Sequence, residues 1–504
     1  MPADTSASRI AALYNPEFLR EAGRRLGELL AEHFRGVQNR ETSVLNWRHP
    51  AENVAEAGMF LDMGTVQPAL PIPDEVGERF AVLVRKALER GQNLHSPRYV
   101  GHQVPPPVPI AGLFDAVSAA TNQPMAIYEM GPWATAIETA LVERLGAKLG
   151  YAKNGFAGFV THGGSMANLT ALLTARNVAI GDAWEAGVPR QGRMPVLVAH
   201  GESHYCITRS AGILGLGTRQ VVKAAIDDRR RIDPAALDAQ LTTLKRENRL
   251  PIAVAASSCA TLIGAFDPLE AIADVCEKHG VWLHVDAAHG GAVAFSEAHR
   301  HLIAGIERAD SVVWDAHKMM HVPALCTFVF YKNSAHRFEA FRQDAPYLFD
   351  PSDPGLSEYD SGLKTLECTK RGAAFGLWGL WSLFGESIFG DIVDATFQLT
   401  RAFYGLLSDA EDFMPLHEPQ CNIQVFRHVP EELRAAPADI LGRYQLELRK
   451  DIVRSGTFYL VPSNKDGTAA LRCAIINPLT TPTDLNDLLN ELRARGRSVL
   501  SRLK

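Results

Sequence analysis

A lysine at the end of a buried strand is the residue in this sequence best placed to do chemistry. Residues 311–314, S-V-V-W, make an apolar run short enough for a buried strand, and the polar tetrad Asp315-Ala316-His317-Lys318 follows at once. A lysine delivered there is costly without a task, and burial depresses an amine's pKa toward the neutral form that attacks carbonyls and forms Schiff bases. The plain alternative is a lysine that snorkels to water after an edge strand. Three other stretches carry compatible chemistry. The first, Thr161-His162-Gly163-Gly164-Ser165-Met166-Ala167-Asn168, follows an apolar run at 156–160 and leads into a helical 169–178. Glycines and a serine at a helix start offer N–H groups and a hydroxyl to an anion, here without the lysine of a Walker loop. In the second, Asp286-Ala287-Ala288-His289-Gly290-Gly291 ends a run at 281–285, placing a carboxylate beside small residues that leave room for a flat ring over Ala288. The third, Ser203-His204-Tyr205, follows a run at 195–199 and offers an imidazole for the ring's other face. Each of these has a structural reading alone, as a helix cap or a satisfied polar residue. Their placement at different strand ends of one sheet points to a single site for an anionic ligand with a flat ring.

Such a site needs a sheet whose strand ends converge. From 155 to about 332 the sequence alternates short apolar runs with amphipathic helices, with strands expected at 156–160, 195–199, 220–225, 252–257, 281–285, 311–314 and 327–331. Helices between most of them predict an α/β fold: a mainly parallel seven-stranded sheet covered on both faces, with ligands at the carboxyl ends of the strands. Upstream, Asn15-Pro16 caps a helix with an apolar stripe of Leu19, Leu26, Leu29, Leu30 and Phe34, and a second helix is expected over 74–89. The polar stretch 36–71 between them reads as irregular, so the stripes of this arm are expected to pack on something outside it, such as a second subunit. A proline-stiffened loop from Ser96 carries Arg98, Tyr99, His102 and Gln103; helices are expected at 111–120 and 133–149, and an alternating strand at 471–476 holds Arg472.

The totals bound the function. At 504 residues the chain exceeds one ordinary core, and its net charge of −6, with no run of lysine and arginine, gives no sign of a nucleic-acid partner. The longest apolar stretch, 251–266, is interrupted by Ser257, Ser258 and Thr261 and reads as core, not membrane. The opening M-P-A-D-T-S-A-S-R lacks a basic-then-apolar signal. Seven cysteines without a C-x-x-C pair predict free thiols in a reducing cytoplasm, with neither disulfides nor a metal site.

From Ser96 to Pro478 the sequence resembles the group II pyridoxal-phosphate-dependent amino-acid decarboxylases. The motifs that carry the resemblance are S-P-R-Y-V-G-H-Q, T-H-G-G-S-M-A-N-L, S-H-Y, G-A-F-D-P-L, W-L-H-V-D-A-A-H-G-G, W-D-A-H-K-M-M, P-Y-L-F and L-R-C-A-I-I-N-P. The resemblance implies fold-type I, the aspartate-aminotransferase-like architecture, and pyridoxal 5'-phosphate held on Lys318 as a Schiff base. It further implies that Asp286 pairs with the ring nitrogen, that His204 stacks on the ring opposite Ala288, and that Gly164, Ser165 and His317 hold the phosphate, with Ser257 also lining the cofactor. Tyr347, in Ala345-Pro346-Tyr347-Leu348-Phe349, matches the tyrosine of the family's mobile loop that protonates Cα and serves the neighbouring subunit's site. Aldehyde-forming relatives carry phenylalanine there, so tyrosine favours simple decarboxylation.

Two departures stand out. Ser257-Ser258-Cys259-Ala260-Thr261 replaces a G-T-T turn, and Asp315-Ala316 replaces asparagine-proline; both are expected to alter substrate-side hydrogen bonds. The resemblance places His102, Gln103 and Ala126 on the substrate side, where aromatic amino-acid decarboxylases have rings, and matches Arg472 to an arginine near the substrate end of the pocket that aromatic-specific members also carry. A polar, cationic pocket suits L-aspartate, L-glutamate or cysteine sulfinate, since arginine grips an acid group at two points. The alternatives are an aromatic or diamino acid decarboxylase, aldehyde or carbon–carbon bond formation on the same scaffold, and an inactive interaction protein. The expected organisation is a dimerisation arm at 1–94, a cofactor domain at 95–376 and a small α+β domain at 377–504, in a homodimer with active sites at its interface.

Overall fold

The computed structural model describes residues 6–62, 73–189, 191–342 and 358–503, with 64, 66, 68, 71 and 355 between them. Seven strands form one sheet: β1 (Ala157–Thr161), β2 (Met194–His200), β3 (Val221–Ala224), β4 (Arg249–Ser257), β5 (Trp282–Asp286), β6 (Ser311–Asp315) and β7 (Thr327–Tyr331). All seven expected strands are there, within three residues of the predicted ends. The order across the sheet is β1-β7-β6-β5-β4-β2-β3. Neighbours from β3 to β6 run parallel, and β7 is antiparallel to both β1 and β6. Six strands, β1 to β6, therefore point their carboxyl ends toward one edge, which also receives the amino end of β7. Their composition explains the placement: β6 and β7 are buried along their whole length, as strands covered on both faces must be. The helix Gly164–Ile180 lays Ala171 and Leu172 into a core with Phe159, Leu197, Ile252, Val313 and Val329.

The chain divides into two compact units. The larger comprises Gln103–Tyr404 and His417–Val425; the smaller joins Met1–His102 to Gly405–Leu416 and Phe426–Lys504. The N-terminal arm and the C-terminal residues thus share one unit. Within it, Arg40 makes a two-point ion pair with the buried Asp484, at 2.8 Å for each bond, and the Val44 N–H donates to the Gly456 carbonyl. The strands Thr468–Ala474 and Val461–Lys465 pair antiparallel in a small four-stranded sheet and set Arg472 opposite Val461.

The expected cap is present: Asn15 Oδ1 accepts from the Glu17 and Phe18 N–H groups at 2.7 and 3.3 Å and starts the helix Pro16–Gln38. The supposedly irregular 36–71 needs correction, because it contains the helix Pro50–Asp62. That helix buries none of its residues. Its Ala and Glu content favours helix while its apolar residues make no stripe, so a search for periodicity passes it by. Among the described residues no helix is long and apolar enough to cross a membrane. All seven cysteines are free thiols, and only Cys368 is exposed.

Candidate active site

The β6 end fixes the centre. Lys318 lies one turn beyond the strand, its N–H 3.3 Å from the Asp315 carbonyl, and its ammonium meets the Asp315 carboxylate at 3.1 Å. Asp315 is held in turn by the Thr327 hydroxyl at 2.6 Å, a bond made possible because the antiparallel β7 begins at this edge. The His317 Nε2 stands 3.6 Å from the same carboxylate, and its Nδ1 lies against the Cys326 backbone. The depressed lysine pKa expected from sequence is reversed. Burial does pull the Lys318 amine down, but Asp315 and then Asp286 outweigh it, and the net shift is upward. Asp315, a departure from the family pattern, is thus the lysine's counter-ion, and its signal in the sequence is a carboxylate three residues before a lysine in the turn after a strand.

The neighbouring ends supply the rest. Asp286 closes β5 in register with Ser257 of β4 and Val313 of β6. Its Oδ1 accepts from the Ala288 N–H at 3.1 Å, and the Ala288 carbonyl accepts from the Asp315 N–H at 3.2 Å, so Ala288 ties the two strand ends together. Burial raises the Asp286 pKa, while Lys318 and His204 act against the rise. After β2, His204 caps the helix Tyr205–Ile213, its Nδ1 accepting from the Cys206 N–H at 3.3 Å. Desolvation lowers its pKa, with Asp286 opposing, so the neutral ring is favoured. These shifts show that Lys318, Asp286, Asp315 and His204 share one electrostatic neighbourhood. Ser257 is held through its backbone, its N–H donating to the buried Asp267 carboxylate at 2.7 Å.

The anion cradle lies beyond β1. The helix Gly164–Ile180 starts with Gly163 at φ 103° and has no side-chain cap, while Ser165 is exposed at its first turn. A Cβ on Gly164 would stand 3.0 Å from the Asp315 Oδ2, so glycine lets the helix start come up to that carboxylate. Behind it runs a buried chain of bonds, each 2.8 Å long: Trp282 Nε1 donates to Ser311 Oγ, Ser311 meets His284 Nδ1, His284 Nε2 meets Asn168 Oδ1, and Asn168 Nδ2 donates to the Gly164 carbonyl. This polarity makes Nε2 the protonated nitrogen of His284. The motifs that carry the resemblance contain Trp282, His284 and Asn168 but assign them no role, because the bonds that join them span 27 to 116 residues.

The donor set fits pyridoxal phosphate: an uncapped helix start with a serine suits its phosphate, a primary amine its aldehyde, and a buried carboxylate its ring nitrogen. The substrate-side candidates are divided. Gln103 and Ala126 lie in the larger unit, where the Ala126 carbonyl accepts from the Gly362 N–H beside a two-strand ribbon. His102 and Arg472 lie in the smaller unit. There the His102 Nε2 meets the Tyr459 hydroxyl at 3.2 Å, and Tyr459 stacks on Tyr99. Desolvation, with the charges of Arg472 and Arg449, lowers the His102 pKa. Tyr459 lies outside every motif that carries the resemblance. Tyr347 lies outside the described residues. No group of three or more His, Cys, Asp or Glu side chains is placed to hold a metal among the described residues.

Comparison with known proteins gives a consistent set. A family model described as the pyridoxal-dependent decarboxylase conserved domain matches residues 94–429. Cysteine sulfinic acid decarboxylase of Rattus norvegicus is 30% identical over 481 residues, covering 94% of this chain and 95% of the relative. The acidic amino acid decarboxylase GADL1 of Mus musculus is 31% identical over 390 residues, 76% of this chain and 70% of the relative. The crystal structure of mouse CSAD superposes with a TM-score of 0.84 at 28% identity, covering 95% of this chain and 99% of that one.

Proposed function

The chain belongs to the pyridoxal-dependent decarboxylase family, and from that premise we propose that it converts a small acidic L-amino acid to its amine and CO2. The observation that carries the reading is the meeting of Lys318, Asp286, His204 and the Gly164 helix start at one sheet edge. Its relatives' names support the acidic substrate, as does the nearness of Arg449 and Arg472 to His102, whose pKa their charges help to lower. When bound, pyridoxal phosphate supplies the electron sink for the charge left at Cα by the departing CO2. Lys318 would hold the cofactor through its primary amine. Asp286 would hold the proton of the ring nitrogen, and His204, favoured as the neutral ring, would stack on the cofactor ring. Gly164, Ser165 and His317 hold the phosphate, beside Ser257. Arg472, with His102, Gln103 and Ala126, receives the substrate's acid groups, and Tyr347 returns a proton to Cα.

We also propose a cytoplasmic homodimer, with parts at 1–94, 95–376 and 377–504 serving as arm, cofactor domain and small domain. The exposure of Tyr14 at 82% and Leu61 at 87% on the arm supports a covering partner. The test is CO2 release from purified protein with pyridoxal phosphate across the common amino acids and cysteine sulfinate. Cysteine sulfinate, aspartate or glutamate should exceed every aromatic and diamino acid in kcat/KM; preference for an aromatic or diamino acid overturns the substrate class.

A further inference from the structure

Cys259 and Cys421 are 162 residues apart in sequence, yet their Sγ atoms lie 3.4 Å apart in the interior of the larger unit. Cys259 occupies the turn after β4 with φ 74°, a conformation that few residues other than glycine adopt. The turn is held by the Ala260 N–H donating to the Ala265 carbonyl at 2.7 Å, the Gly264 N–H donating to the Ala260 carbonyl at 2.8 Å, and a bridge between Ser258 and Phe266. Gly264 is what admits the second thiol, since a Cβ there would sit 2.0 Å from the Cys421 Sγ. Cys421 is fixed from both sides: Gln420 Oε1 accepts from the Phe266 N–H at 3.1 Å, and Asn422 Oδ1 meets His289 Nε2 at 2.8 Å. Two thiols are thus held in contact by backbone and side-chain bonds on each partner, and neither is used by the decarboxylation chemistry.

We propose that Cys259 and Cys421 form an oxidation site that a small peroxide converts to a disulfide. One sulfur attacks the peroxide, the O–O bond breaks, and the sulfur becomes a sulfenic acid as water leaves. The second sulfur then attacks the first, the S–O bond breaks and a second water leaves; two thiols and one hydrogen peroxide give one disulfide and two waters. A disulfide's S–S length of about 2.05 Å requires the sulfurs to close by roughly 1.4 Å. The product tethers His417–Val425 to the turn beside β5, where the Ser258 N–H donates to the Asp286 carbonyl at 2.9 Å.

The holoenzyme is treated with stoichiometric hydrogen peroxide in a Cys368→Ser background, which removes the exposed thiol. After alkylation and digestion without reductant, mass spectrometry should find the peptides carrying Cys259 and Cys421 joined and lighter by two hydrogens. The thermal midpoint should rise by several degrees and return with dithiothreitol, and Cys259→Ala and Cys421→Ala should each lose both effects. Recovery of Cys259 and Cys421 as separate alkylated or over-oxidised peptides from folded holoenzyme overturns the proposal, whatever the variants do. So does a midpoint shift that survives in either variant.

Discussion

Two lysines of the larger unit each meet a buried carboxylate, and they differ in what is left of the amine. Lys370 donates to both oxygens of Glu138, at 2.7 and 2.8 Å, and to the Val160 carbonyl at 2.8 Å, with 1% of its side chain exposed. All three ammonium hydrogens have partners there. The Val160 N–H also donates to Glu138, so this pair grips β1 just before it opens into the anion cradle. Lys318 has a carboxylate at 3.1 Å and keeps 23% of its side chain exposed. A saturated, enclosed lysine builds structure; one with a partner on one side and an open edge is held in place and remains available to react. A third, Lys364, is drawn down to about 8 by burial, chiefly, and by the charges of Lys370 and Arg337. By pKa alone it is a better nucleophile at neutral pH than Lys318, so placement among Asp286, His204 and the cradle, and not pKa, singles out Lys318.

The largest effect should separate the two ion-paired lysines. Lys318→Ala should lower kcat by roughly a thousandfold or more while leaving the fold in place, because a covalent anchor is lost. Lys370→Ala should act in the opposite way, costing about 3–5 kcal/mol in chemical denaturation by stranding the buried Glu138 carboxylate. Equal losses of stability in the two variants break the distinction. A smaller effect tests the network behind the cradle. Burial lowers the His284 pKa from 6.5 to about 3, so below pH 6.5 the unfolded chain binds a proton that the folded chain refuses. Stability must then fall as pH drops from 6.5 toward 3, by about 2 kcal/mol from this residue at pH 5. His284→Gln should remove that part of the acid loss, measured as the difference in unfolding free energy between pH 7 and pH 5. The smallest effect belongs to Asp315. Asp315→Asn removes the charge that raises the Lys318 pKa, so the acid limb of cofactor uptake, followed by absorbance, should move to lower pH. An unmoved limb means that Asp315 does not set the state of the amine.

The sheet and its order of chemistry were legible because local features determine them: short buried runs such as 311–314 mark strands, and polar tetrads such as Asp315 to Lys318 mark their ends. What was hidden depends on distance or on the absence of pattern. The Glu138–Lys370 pair spans 232 residues, and no local signal joins its halves. The contact of Cys259 with Cys421 spans 162 residues, and the helix Pro50–Asp62 has no buried face to betray it. The direction of the Lys318 pKa was misjudged for a different reason: burial is readable from an apolar run, whereas the balance between burial and two carboxylates depends on their distances.

Reduction with borohydride in the presence of saturating pyridoxal phosphate, followed by peptide mapping, tests the central assignment most directly. The account predicts one pyridoxyl group per chain on the peptide carrying Lys318, with Lys364 and Lys370 unmodified. Label on Lys364 or Lys370, or an unlabelled protein at saturating cofactor, would contradict it.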